Sequence, residues 1–329
     1  MTAVVELDAR VAQRPSAVGY VLRYGTYPFV VVGALTGAML LLDANVPSFL
    51  VLVIVSVFAA MVTSIVERLR PMFTSWNESK GDVVTDAVSA GVVLVVVARL
   101  IEPLALAVVF YLSQQLSGAL GFMLWPTQWP PLAQAALALF VGEFFYYWTH
   151  RWIHQSTWAW PFHAVHHSSE RLYWLNAVRF HPVDFLIDDC ALVVPLTLTG
   201  WTLTNSGFAG LILLLTFYNS HGVTMHSNMD VRLGPLNYLV PGPEMHRWHH
   251  SRDLSEANSN FGGKVMVWDL LFRTYFRPAD RLPPELVGLA DDVEMPTSYV
   301  GLLMMAPFRW SKLQRQAQAP EAQVSSLFA

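Results

Sequence analysis

Apolar and polar positions divide the chain near residue 148. From Tyr24 to Leu42 no residue is charged, and none is charged from Ala44 to Val66. Each run is near the roughly 20 residues that an α-helix needs to cross a bilayer. Only the turn DANVPS, with Asp43, separates them, which predicts a helical hairpin. A second apolar block starts near Val83 and predicts a third span between 83 and 123. It turns near 124–130, in WPTQWPP, where prolines break a helix and tryptophans suit the membrane interface. A fourth span is expected from about Pro131 to Tyr147. Farther on, FLIDDCALVVPLTLTG and GFAGLILLLTFYNS, within 185–220, are apolar but short, with Thr204, Asn205 and Ser206 between them. Their length predicts a re-entrant or shallow hairpin. From Asn228 onward, polar turns read as cytosolic. The expected fold is therefore an all-α integral membrane protein of about four transmembrane helices plus a re-entrant hairpin, with a cytosolic helical cap. Its parts are a lead-in at 1–23, membrane helices at 24–148, a polar region at 149–280 that includes the hairpin, and a tail at 281–329.

Composition supports the membrane assignment, since 54% hydrophobic with 13% charged residues is too apolar for an ordinary soluble domain. A net charge of −4 gives no reason to expect nucleic acid. One cysteine, Cys190, excludes an intramolecular disulfide and a CxxC metal site. The loop 67–82 carries Arg68, Arg70 and Lys80, and the N-terminal stretch carries Arg10, Arg14 and Arg23, whereas the hairpin turn has no basic residue. The positive-inside rule places that loop and the N-terminus in the cytoplasm. An even number of spans returns His150 and the C-terminus to the same side.

All eleven histidines lie between 150 and 250. His150 and His154 form HxxxH. His163, His166 and His167 form HxxHH, which His246, His249 and His250 repeat. Side chains four apart on a helix share a face, and those three apart nearly do. One turn of helix can thus present two or three imidazoles to a metal, and eight such ligands suit two metals better than one. Structural zinc usually takes four ligands and favours cysteine, and haem takes paired axial ligands on facing helices. An imidazole-rich pair of metals suits iron, although imidazole also binds zinc. A single histidine such as His181 reads equally well as a hydrogen-bonded core residue. Metal-bound imidazoles commonly donate their second nitrogen to a carboxylate or carbonyl. Glu143, Asp184, Glu244 and Asp269 are the candidates for that role, each also readable as a cap or structural pair. Arg151 and Arg247 read as surface, headgroup or reductant contacts.

The segments HRWIH, HAVHH, NAVRFHPVD, MHSN, EMHRWHHS, NFGG and WDLLFRTYF resemble the fatty acid hydroxylase superfamily, which includes sterol desaturases, C-4 methylsterol oxidases and alkylglycerol monooxygenases. The resemblance spans about Phe140 to Phe276. It implies a membrane di-iron oxygenase, an oxidoreductase that uses O2 and external electrons to hydroxylate a C–H bond of a lipid or sterol-like substrate. Desaturation and C-4 methylsterol oxidation are the alternatives within the family. By matching motif, two irons fall to His150, His154, His163, His166, His167, His246, His249 and His250, with His226 of MHSN a ninth ligand. His221 is a further candidate and His181 the last. No fused haem-binding redox domain is evident, so a separate donor of reductase, ferredoxin or cytochrome b5 type is expected. The 185–220 hairpin and the apolar spans should line a lipid path, with Trp152, Trp158, Trp160, Tyr173 and Trp174 as its interfacial wall. Arg273 stands where glycine is common in WDxxFGTY, which puts the local backbone conformation in question. A histidine-rich metal transporter or a non-catalytic scaffold is the competing class. Transport calls for ionisable residues along several spans, and the first two spans are almost free of them.

Overall fold

A computed structural model of the chain describes residues 16–120, 124–201, 206–289 and 295–308. The first part of the lead-in, most of the tail, and Thr204 and Asn205 lie outside the described residues. Among those described there is no β-strand, only two isolated bridges, Pro71 with Met229 and Ser251 with Val287.

The charge-free runs form α1 (Ala17–Asp43) and α2 (Ser48–Leu69). Ser16 caps α1 by accepting the Gly19 amide at 3.1 Å, and Asn45, at φ 57°, turns the chain between the helices. An unbroken helical run follows: α3 (Val83–Gly91), a wide π-helical stretch (Val92–Ile101) and α4 (Glu102–Leu120). Proline suits a first helical position because its missing N–H would have no partner there. Accordingly, Pro131 opens α5 (Pro131–Gln155), which continues without a break through HxxxH. After the short α6 (Trp160–His163) come α7 (Pro182–Leu198) and α8 (Ser206–Met225). The cap adds α9 (Pro243–His249), α10 (Leu254–Ala257), α11 (Val267–Phe272) and α12 (Tyr299–Phe308).

Among the described residues three helices are long and apolar enough to cross a membrane: α1, α2 and Gly207–Met225 of α8. Of the two helices in the expected hairpin, α8 contains a segment long and apolar enough to cross, whereas α7 is 17 residues long. The apolar lettering stops near Ser220, but the helix continues to Met225, and on this last stretch the Nδ1 of His221 lies 2.6 Å from the Tyr27 hydroxyl of α1. Leu196 and Ile212 of this hairpin share a core with Ala38 and Val51 beside the α1–α2 turn, and Trp125 stacks on Trp201 at 5.3 Å. The core at this end of the bundle is thus largely apolar, with Gln134 buried beside Trp125. The opposite end is polar: Arg23 and Arg70, from α1 and just past α2, meet Asp230 at 2.6 and 2.9 Å.

Two buried ion pairs fasten the histidine segments to α3. Arg171 forks onto Asp82 at 2.7 and 2.8 Å and donates to the Trp76 carbonyl at 2.5 Å. Arg179 pairs with Asp86, which also accepts the Tyr173 hydroxyl at 2.6 Å. Removing one partner of a buried pair strands the other charge, a loss of about 3–5 kcal/mol. Asp86→Ala is thus expected to lower unfolding stability by about that amount, read as thermal unfolding in detergent. An unchanged midpoint would contradict the clamp.

Candidate metal centre

The boxes are brought together, and each HxxHH box divides between two clusters. His150 and His154 from α5, His163, His167 and His249 form one group; His166, His226, His246 and His250 form the other. Within each group the candidate ligand atoms lie within 4.8 Å of one another, and all nine residues are buried. The reason is angular: residues four apart share a face. Hence His163 and His167 go together, as do His246 and His250, while the middle members His166 and His249 point to the opposite groups. The groups adjoin, with His167 and His250 stacked at 4.2 Å.

Most of these rings are held from behind. The Nδ1 of His150 faces the Phe261 carbonyl at 2.7 Å, that of His249 the Ser259 carbonyl at 2.8 Å, and that of His166 the Arg179 carbonyl at 3.2 Å. His163 Nδ1 meets both oxygens of Asp184, at 3.0 and 3.1 Å. His154 and His226 face the side-chain oxygens of Asn258 and Asn176, each at 3.2 Å. An acceptor at Nδ1 draws the proton there and leaves the Nε2 lone pair free. These Nε2 atoms converge. His150 and His163 approach to 3.0 Å, His226 and His246 to 2.7 Å, and His246 and His250 to 2.9 Å. The Nε2 atoms of His154, His167 and His249 are buried without a protein partner.

Buried nitrogens left facing one another are costly without a cation. Two nitrogens at about 2.1 Å from a shared metal, at right angles, would stand about 3 Å apart, so the spacing fits. Burial, the largest cause, also holds His166, His167, His246 and His250 well below the usual imidazole range, and His226 and His249 at about 3. Neutral imidazoles are the metal-binding form. Nitrogen-only donor sets suit iron, zinc, copper or nickel, and the single cysteine, Cys190, is exposed and outside both groups.

The loop NFGG supplies part of this backing. Asp269 accepts the Phe261 and Gly262 amides at 2.8 and 2.7 Å and the Thr274 hydroxyl at 2.7 Å, although burial pushes its carboxyl up to about 7. A Cβ on Gly262 would stand 2.4 Å from the Val265 carbonyl oxygen, so this position admits no side chain. Glu143 accepts the Lys264 and Val265 amides at 2.7 and 3.2 Å, and the Tyr218 hydroxyl. Arg273 sits in the left-handed region at φ 60°, the conformation that favours glycine.

Of the four acidic candidates only Asp184 touches a clustered histidine directly. Asp269 acts through the Phe261 carbonyl and Glu143 through the next stretch of loop, while Glu244 pairs with Arg232, Arg277 and Asn237. His221 joins neither group; its Nδ1 lies 2.6 Å from the Tyr27 hydroxyl. His181 also stays apart, accepting the Val183 amide at 3.1 Å to cap α7. Arg247 is not a surface group. It is buried and donates to the Ser227 and Met229 carbonyls at 2.8 and 2.7 Å. The aromatic wall divides, with Trp152 and Trp158 exposed and Trp160 and Tyr173 buried. The backing carbonyls of Phe261, Ser259 and Arg179 carry no signal in a sequence, because every residue has one. Between α5 and α7, Phe145 and Thr149 of α5 and Val183, Ile187, Ala191 and Val194 of α7 line an open apolar groove of about 570 Å³.

The pattern of the fatty acid hydroxylase family matches residues 135–274. An ornithine lipid hydroxylase of Rhizobium tropici is 32% identical over 257 residues, covering 77% of this chain and 75% of that protein. A very-long-chain aldehyde decarbonylase of Oryza sativa subsp. japonica is 26% identical, covering 70% and 84%. An alkylglycerol monooxygenase of Caenorhabditis elegans is 28% identical over 49% of this chain, which spans 30% of that relative. No solved structure matches the chain.

Outer partners of metal-bound histidines typically carry 10–100-fold in affinity. Asp184→Asn is expected to weaken metal retention by about that factor, measured by competition with a chelator at fixed pH. Unchanged retention would remove Asp184 from the site.

Proposed function

From the membership of this chain in the fatty acid hydroxylase family, to which it belongs, we propose that it is a membrane-bound non-haem di-iron oxygenase that hydroxylates a C–H bond of a lipid. The observation that carries this reading is the pair of buried all-histidine groups, five and four residues strong. His150, His154, His163, His167 and His249 would hold one iron, and His166, His226, His246 and His250 the other. When bound, the irons supply the activation of O2: one oxygen atom enters the C–H bond, and the other leaves as water with two electrons and two protons from outside the site.

The protein's own part is positional. Asp184, Asn176, Asn258 and the loop carbonyls fix the orientation of the imidazoles, so the donor set needs little rearrangement on loading. The two groups lie at the polar end of the bundle, beside Arg23 and Arg70. We read this end as cytoplasmic, in reach of a separate electron-donor protein of ferredoxin, reductase or cytochrome b5 type. We take 24–148 as the membrane part and 149–280 as the catalytic part, with the α7–α8 hairpin inside it. The apolar groove would receive a hydrocarbon chain from the bilayer while excluding water from the reacting carbon. An ornithine-containing lipid is the first substrate to try, because the relative of that name is matched over most of both lengths.

The test is turnover under ¹⁸O₂ by the iron-loaded protein with a reduced ferredoxin donor and an ornithine-containing lipid. The expected product is an alcohol carrying one ¹⁸O atom. A new double bond without label would replace hydroxylation by desaturation. No O2-dependent product from that lipid or from an alkylglycerol, with iron bound, would contradict the proposal.

A further inference from the structure

We infer, resting on the oxygenase reading above, that Tyr27 and His221 form a redox pair that discharges the oxidised metal centre in the absence of lipid. Tyr27 gives the electron and His221 takes the proton.

Both residues lie on helices long and apolar enough to cross a membrane, α1 and α8. Ionisable side chains are rare inside such spans, and those that occur mark functional sites by default. This pair is also closed off. Tyr27 is 6% exposed and His221 0%, and Phe217 stacks on the imidazole at 5.3 Å. Val31, Val66, Met229 and Val231 share the apolar core of Tyr27. Replacing both partners of a buried hydrogen bond by apolar side chains of similar shape costs little, so packing alone does not call for a phenol and an imidazole here. The phenol oxygen nevertheless stands 2.6 Å from Nδ1 of His221, while Nε2 is buried without a partner.

The pair is near the second histidine group without belonging to either group. Helical hydrogen bonding continues past Met225, where the His226 amide donates to the Gly222 carbonyl at 3.2 Å. Five residues of rise put His226 about 7.5 Å farther along the axis than His221. A second connection runs through Met229 of the same core, whose carbonyl is held by Arg247, the neighbour of His246.

A phenol that loses an electron becomes a strong acid, so its oxidation in an apolar interior requires a base already in place. A neutral imidazole whose Nδ1 accepts the phenol hydrogen is such a base. In the step, the O–H bond of Tyr27 breaks, an N–H bond forms on His221 and one electron passes to the oxidised iron pair. A neutral tyrosyl radical then stands beside an imidazolium. An electron from the donor protein and the proton returned by His221 restore the phenol.

The test uses the full-length protein, iron-loaded and reduced, in mild detergent without substrate lipid. It is mixed with O2, freeze-quenched and followed by EPR and Mössbauer spectroscopy, with ring-deuterated tyrosine to identify the radical. A tyrosyl radical is expected in wild type and its loss in Tyr27→Phe. Loss is also expected in His221→Gln, which can accept the phenol hydrogen bond but cannot take the proton. Both variants are expected to keep the wild-type iron content; loss of iron from both would make the pair structural and overturn the inference. A radical that persists in Tyr27→Phe, on Tyr146 or on a tryptophan, would overturn it too, as would oxidised iron without a radical in wild type. Iron that stays reduced under O2 sinks the oxygenase reading, and this inference with it.

Discussion

Nine imidazoles buried with their lone pairs turned inward form the constraint on which the rest of the structure depends. Nitrogens as close as 2.7 Å, buried from water, need either a shared N–H or a cation between them, and a cation satisfies the whole group at once. The surrounding architecture works against the tendency of such rings to turn away and find donors. Carbonyls of Phe261, Ser259 and Arg179 and the side chains of Asp184, Asn176 and Asn258 hold the backs of six rings. Those holders are held in turn. Asp269 and Glu143 pin the NFGG loop, and the Arg179–Asp86 pair fixes the segment that carries the Arg179 carbonyl.

The bundle has two ends of opposite character, and the histidines sit at the polar one. α5 runs from the apolar end straight into HxxxH, so one continuous rod carries both the bilayer-facing side chains and two of the clustered histidines. α7 makes the reverse passage, leaving the site at His181 and descending to Leu198. The apolar groove lies between these two helices.

Much of this was legible in the sequence, and the parts that were not have physical reasons. The α1–α2 hairpin could be read because charge-free runs of membrane length leave few alternatives; the start of α5 was marked by Pro131 after the proline-rich turn. Eight of the nine clustered histidines could be read from helical spacing, whereas the division of each HxxHH box between two groups needs the three-dimensional arrangement of four segments. His226 came from the resemblance and from the expected hairpin that returns it to the other boxes, while His221, carried by the same hairpin, meets Tyr27 in a pairing of residues 194 apart that no local pattern shows. Arg247 looked like a surface charge because nothing local shows that the Ser227 and Met229 carbonyls lie buried beside it. The question raised by Arg273 was apt, since the chain does adopt the left-handed conformation there without a glycine.

The most direct test of the central claim is the iron count per chain after anaerobic purification in mild detergent, with Mössbauer spectra of wild type, His249→Ala and His226→Ala. Two histidine groups predict two irons that are magnetically coupled, with each variant losing the coupled signal and retaining at most the iron of the untouched group. A single iron in wild type, or a metal content indifferent to both substitutions, would contradict it.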